Sequence, residues 1–381
     1  MRRREMLKMT GVVAGGAALG IGAYAGGEKL YRSAAAGGEQ PQTRVRTSPA
    51  TSNATRTDGS AITSRPNDGT GYWPDSSNTG YKHAPGYTGS LTAGPSTITA
   101  GSTYSHMSFR GCDVGRPDAR VDNVTFIGCL FWGVNPGVAL VKCNGNNIAF
   151  RYCSFMPTNE GDPFYASYNE SYQYAVLYDG DEGGMTAGQL TMAWCDVWGF
   201  GNGLQLNGST QAAPHSITNC WFHHGADTDA ARGGSTGLYH VDAILCTVGG
   251  AHETYLVISG NSLASLGSTN AVALQRDGGD YYHHITITDN YLSGFGYTVQ
   301  IGGDGRGNRH ITFTGNIWST EIEAKFGPLY SWGGTGNVWR HNRWQVFSGD
   351  PANPVKVTTA ATGEYWWPAD NDAHSEEYTG S

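Results

Sequence analysis

The sequence predicts an all-β solenoid of about nine coils, in which each coil of three short strands stacks on the next and some coils carry loop insertions. Three observations carry that expectation. A short phrase recurs nine times: an apolar residue, a gap of one, another apolar residue, then Cys or Asn, then a large apolar residue. The composition, with 56 Gly, 11 Trp and 21 Tyr in 381 residues, suits a turn-rich β protein better than a helical one. From about residue 95 to 350 the phrases also follow one another without a linker, which argues for a single domain despite its length.

In order the phrases are HMSFRGCDV, NVTFIGCLF, NIAFRYCSF, LTMAWCDVW, HSITNCWFH, LVISGNSLA, ITITDNYLS, ITFTGNIWS and NVWRHNRWQ. Their Cys or Asn column is Cys112, Cys129, Cys153, Cys195, Cys220, Asn261, Asn290, Asn316 and Asn342, at spacings of 17, 24, 42, 25, 41, 29, 26 and 26. A three-strand coil uses roughly 20 to 29 residues. The two gaps above 40 are therefore one coil plus an insertion each, at about 157–173 and 223–239. The regular spacing makes the cysteines small buried thiols stacked on one another rather than a disulfide framework. Cys143 and Cys246 read as core, and the absence of any CxxC or CxxH pair argues against a metal cluster.

The N-terminus has a basic start, Arg2-Arg3-Arg4, and a weakly apolar Gly/Ala run, with small-residue cleavage candidates ending at Ala25 and Ala36. Arg3-Arg4-x-Met6-Leu7-Lys8 resembles a twin-arginine export signal, with an ordinary secretory signal or a retained anchor as alternatives. The expected organisation is a signal peptide over 1–36, a disordered Ser/Thr/Gly/Arg linker over 37–68, the solenoid over 69–350 and a C-terminal cap or tail over 351–381. Aromatic residues from Tyr72 to Tyr87 are expected to lead into and cap the first coil. These readings imply passage through the twin-arginine translocase, secretion, and no membrane span after cleavage. A net charge of −8 with only 15% charged residues makes nucleic acid a poor partner.

A second strand follows each phrase. Aligned on its first apolar residue, the inward column is Val141, Val176, Leu204, Val241, Leu274 and Val299. Alternation then turns Lys142, Leu177, Gln205, Asp242, Gln275 and Gln300 outward, and two residues on Asn144, Asp179, Asn207, Ile244, Asp277 and Gly302. An amide- and carboxylate-lined strip beside aromatic insertions suits a sugar polymer, since hydroxyls pair with amides and carboxylates and pyranose faces stack on rings. Lys142, Tyr178, Asp179, Gln205, Asn207, Gln275 and Gln300 are thus candidate substrate contacts; the alternative is a solvated sheet face with stacked amides.

His240 and Asp242 share a strand face, as a general base or acid and its orienting carboxylate would, or as a structural pair anchoring the insertion. Asp277, on the neighbouring rung in another column, would stand about 8 Å from Asp242, inside the window for inverting glycoside hydrolysis. The expected catalytic set is Asp242, His240 and Asp277. No cofactor is expected; Asp227 and Asp229 could offer oxygens to calcium.

With these phrases in view the chain resembles the right-handed parallel β-helix, pectin-lyase-like superfamily, and is similar to exported actinobacterial repeat proteins with a lead-in such as Trp73-Pro74-Asp75-Ser76-Ser77-Asn78-Thr79-Gly80. A His-x-Asp-Gly-Ile-Gln phrase of such proteins matches His240, Asp242 and Ile244, with Ala243 in place of Gly and Leu245 in place of Gln. The resemblance implies an all-β, single-stranded right-handed parallel β-helix over roughly 70–345. The superfamily holds lyases, hydrolases, epimerases and non-catalytic adhesins. The Asp-Asp with Gly-His-Gly of polygalacturonases and the Arg-x-Pro-x-x-Arg of pectate lyases are both missing. The expected function is a secreted protein that binds and cleaves a polysaccharide, as a glycoside hydrolase or a polysaccharide lyase; the alternative is a non-catalytic polysaccharide-binding or adhesion module.

Overall fold

The computed structural model describes residues 73–133, 139–157, 174–179, 188–223, 241–248, 255–265, 269–276, 284–301, 309–319, 327–330, 336–340 and 342–345. Apart from one 3-10 turn, Tyr81–His83, the regular structure in them is short strands. Each coil visits three sheets in turn, as in Val124–Ile127, Leu130–Trp132 and Ala139–Cys143. The next coil returns to the first sheet at Ile148–Arg151, paired in parallel with Val124–Ile127. Repetition gives a first sheet of nine strands, a second of ten and a third of eight among the described residues. Stacked parallel sheets wound by one chain are a parallel β-helix.

Alternation builds the core. Strands such as Val124–Ile127, Leu190–Ala193 and Leu256–Ser259 bury every other residue, so inward side chains of successive rungs fall on top of one another. Tyr104, Phe126 and Phe150 stack at 5.3 and 5.1 Å on the first sheet. Phe109, Phe131 and Phe155 stack at 5.1 and 5.0 Å on the second. The two columns meet edge to face, as for Phe131 and Phe150 at 82°, a geometry worth about 0.5–1.5 kcal/mol per pair beyond area burial.

The turn from first to second sheet takes two residues. The first is left-handed in eight successive coils: His106, Gly128, Tyr152, Trp194, Asn219, Gly260, Asp289 and Gly315 have φ between 51° and 72°. The second is the ladder residue, and its side chain decides how the turn is satisfied. Asn290 Oδ1 accepts from the N–H and Nδ2 of Asn261 at 3.0 and 2.9 Å. Asn316 and Asn342 repeat this one and two coils on. Cys220 N–H donates to Asn261 Oδ1 at 2.8 Å, which joins the asparagine half to the cysteine half. There the thiols point back at carbonyls, Cys153 to Arg151 at 3.4 Å and Cys220 to Thr218 at 3.3 Å.

One member of the expected column is misplaced. Cys112 lies on the third sheet, level with Val141, and the ladder position of its coil is Met107, because Ser108 pairs with Leu130. The phrase HMSFRGCDV matches the repeat five residues too late, because the first coil reaches its third strand after only Gly111. All seven cysteines are free and buried. Burial pushes the Cys112 and Cys246 thiols up to about 12, and Cys143, Cys153 and Cys220 well above the usual thiol range.

The lead-in also departs from expectation. It is a strap along the outside of the second sheet rather than a lid on the first coil. Trp73 meets Tyr291 at 5.7 Å, Gly80 N–H donates to Trp194 O, Tyr81 N–H donates to Ser154 Oγ, and Thr92–Ala93 pairs with Met107–Ser108. Gly128 is required by this path, since a Cβ there would come within 2.5 Å of the Ala84 Cβ. The buried Ile98 joins the core at the first coil, and Thr99 N–H donates to Tyr104 Oη, so 94–101 caps that end.

Two outcomes test this account. Asn290→Ala leaves the buried Asn261 donors without their acceptor and should cost about 3 kcal/mol, whereas Cys153→Ala, which loses only a weak thiol contact, should cost about 1 kcal/mol; urea denaturation separates them. A thiol reagent should label the native protein slowly and find seven thiols after unfolding; a shortfall would reveal a disulfide.

Candidate functional site

Where the chain passes from second to third sheet, the turn is not held to a fixed length. The insertions expected near 157–173 and 223–239 depart here, between Met156 and Tyr174 and between His223 and Asp242. His240, Asp227 and Asp229 lie outside the described residues, as does Asp277.

The register of the third sheet corrects the expected columns. Leu204 pairs with Ile244, and Ile244 with Val272, which pairs with Val299. Asp242 is therefore level with Asn202 rather than Gln205, and it is 1% exposed, not outward. Its N–H donates to Asn202 Oδ1 at 3.1 Å, and its Oδ1 accepts from the N–H and Nδ2 of Asn270 at 2.9 and 3.0 Å. Asn270 Nδ2 also donates to the half-buried Gln300. This is a second buried ladder with the opposite polarity: here Asn202 and Asp242 accept from the coil that follows. Arg276 pairs with Val248, six residues beyond Asp242, and the separation of about 8 Å expected between Asp242 and Asp277 involves a residue outside the described set.

The other candidates divide. Lys142 and Gln205 are half-buried on one outward column, with Leu177 between them. That column runs through the buried Leu245 and Ala273 to the half-buried Gln300, so the polar strip is interrupted between Gln205 and Gln300. Tyr178 is fully buried and not a surface contact: its hydroxyl donates to Gly145 O at 2.6 Å, and burial raises its pKa. Asp179 and Gln275 sit on third-sheet strands, level with Asn207 and Thr247 respectively, and their side chains lie outside the described set. Asn207 is half-buried, and its carbonyl accepts from His215 Nε2 at 3.2 Å.

That bond fixes the His215 tautomer, since Nδ1 accepts from Leu190 N–H at 3.0 Å. Burial lowers the His215 pKa from 6.5 to about 4, so the folded state holds the ring neutral.

The sequence reading missed the most open chemistry, on the outer face of the second sheet. Arg110, Trp132 and Met156 pair in register, Trp198 is level with Met156, and His223 follows. The Arg110 guanidinium lies over the Trp132 ring at 5.7 Å, and the Trp132 indole N–H donates to Ser108 Oγ at 2.8 Å. Trp132 and Trp198 pack beside Tyr81 of the strap, with Leu130 and Met156 beneath. At the end of the row His223 Nε2 meets Asp196 Oδ1 at 2.7 Å, with side chains 11% and 19% exposed. The His223 ring lies flat on Trp221. A cleft opens at this corner, lined by Trp198, Phe200, Phe222, His223, Asp242 and Ser265 among others. A signal for the pair was present: aligned after their ladder cysteines, CDVW and CWFH place Asp196 beside Trp221 and Trp198 beside His223.

Among the described residues no three His, Cys, Asp or Glu side chains converge as a metal site would need, and no helix is long and apolar enough to cross a membrane. No protein-family model matches the chain, and no curated protein matches it.

The His215 geometry gives a pH prediction. The folded state binds this proton less tightly than the unfolded state, so its contribution is present above pH 6.5 and is lost as pH falls toward 4, about 3 kcal/mol in all. In His215→Gln the loss of stability between pH 7 and pH 4 should be smaller than in the parent by that order; equal losses would remove His215 as the cause.

Proposed function

We propose that this chain is an exported parallel β-helix of the pectin-lyase-like kind whose function is to bind a polysaccharide along the outer face of its second sheet. The row of Arg110, Trp132, Met156, Trp198 and His223 carries this reading. Trp132 and Trp198 are half-buried and two rungs apart, about 9.6 Å, so a polymer aligned with the coil axis could meet successive rings. The indoles offer apolar faces to pyranose rings while Arg110, Asp196 and His223 offer partners to hydroxyls. Lys142 and Gln205 on the third sheet would be a separate, lesser contact. The N-terminal Arg-rich start and Gly/Ala run support export through the twin-arginine route.

Gel retardation on soluble xylan, mannan, mixed-linkage glucan and polygalacturonate tests the proposal. The chain should be retarded by at least one polymer, and Trp132→Ala and Trp198→Ala should each weaken binding about tenfold, or roughly 1.4 kcal/mol. Lys142→Ala should change it by less than about threefold. Retardation by none of them, or undiminished by both tryptophan substitutions, would defeat the reading.

A further inference from the structure

We propose that the outer face of the first sheet is an ice-binding surface, whose ligand is the ordered water of a growing crystal. The inference goes beyond the polysaccharide reading and uses a different face. Its ground is an array of two columns. Ser216, Val257, Thr286 and Thr312 stand in register in one outward column. Thr218, Ser259, Thr288 and Thr314 stand in the other, two residues along each strand. All are half-buried, and Ile217, Ile258, Ile287 and Phe313 between them are wholly buried. Every position except Val257 carries a hydroxyl, and none carries a charge. Thr191 and Ala193 extend the uncharged field by one rung, and it stops at Arg151 on the rung before.

Strand propensity alone does not account for this face. Thr and Val suit any strand, yet the outward columns of the other sheets carry Arg110, Trp132 and Met156, or Lys142, Leu177 and Gln205. In a chain of net charge −8, a sheet face neutral from Thr191 to Thr314 complements a neutral partner rather than an ion or a charged polymer. The face is also held in place from beneath. Asn261, Asn290 and Asn316 follow Ser259, Thr288 and Thr314 by two residues and bond rung to rung. Side-chain ladders of this kind keep a sheet flat over many strands.

The array repeats about every 4.8 Å from rung to rung and about every 6.6 Å along each strand, near repeats of the oxygen lattice of ice. Thr288 Oγ1 donates to Ser259 Oγ at 3.2 Å, so hydroxyls of successive rungs lie within hydrogen-bond reach, as the oxygens of a water network do. Threonine fits both needs of such a ligand. Its methyl group orders the water over it, and its hydroxyl, both donor and acceptor, ties that water to the protein. A solid ligand meets all positions at once, and an array already rigid in the folded state needs no further ordering on contact.

The test grows a seed of ice slowly in a dilute solution of the full chain, beside serum albumin, and measures protein in the ice and in the liquid. The parent should enter the ice while albumin stays in the liquid. Thr286→Lys combined with Thr288→Lys should lower incorporation to the albumin level, and Thr312→Lys alone should weaken it about tenfold. Ala212→Lys, which adds the same charge at an exposed turn, should leave it at the parent value. Thermal melts confirm folding of each variant. Exclusion of the folded parent from ice, parent incorporation by the folded double variant, or equal loss in Ala212→Lys would overturn the inference. Adsorption to microcrystalline cellulose that the double variant loses, without entry into ice, would also overturn it and assign the face to a crystalline polysaccharide. Retardation by soluble polymers is measured separately, so the two readings fail independently.

Discussion

The two-residue turn between the first and second sheets is the constraint on which the rest of the coil depends. A left-handed residue reverses the chain there, and the ladder residue must then satisfy buried polar groups from the neighbouring coil. Asparagine does so with a strong acceptor and two donors. In the cysteine half the thiols are weak partners, and only Cys195 N–H finds a ladder sulfur, that of Cys220 at 3.4 Å. What compensates is the double column of Phe, stacked at about the rung spacing on the two sheets that meet at this turn. The ladder changes chemistry at Cys220 and Asn261 without a break, because Asn261 Oδ1 takes the Cys220 N–H.

A turn tied to its neighbours at every rung cannot accept extra residues, so variation is displaced to the other corners. The passage from second to third sheet is the permissive one here. Its own ladder is short, Asn202, Asp242 and Asn270, and it contains the one ionisable group among three. The polarity of the two ladders is opposite, so neither is an extension of the other. Each locks rungs together, and the second borders the cleft at the end of the aromatic row.

The recurring phrase made the solenoid legible from the sequence, because inward apolar residues at a period of two beside a small or amide residue leave few other folds. Two errors of register came from the same source. Cys112 resembles a ladder residue only because Gly111-Cys112 copies Gly128-Cys129, and the shortness of the first coil is invisible without pairing. Val241 was aligned with Leu204 because Val-Asp-Ala-Ile offers apolar residues three apart, and the insertion before it erases the count. That slip of three residues moved Asp242 from a buried amide ladder to an exposed strip. The strap was illegible for a different reason: it does not repeat, so no periodicity announces where it lies.

The position of the strap explains why the open surface is on the second sheet. Tyr81 covers Leu130, Tyr81 N–H donates to Ser154 Oγ and Trp73 meets Tyr291, so one outward column of that sheet lies beneath the strap, and Tyr81 also buries Met156 of the next column. The other column, two residues along each strand, stays half open at Trp132, Trp198 and His223. On the third sheet the corresponding path is blocked at the buried Leu245 and Ala273. A ligand running along the coils thus has a wall of strap on one side and the permissive corner on the other. Such a polymer would meet an indole at one rung and the His223–Asp196 pair at another, in a register set by the ladder that spaces the rungs.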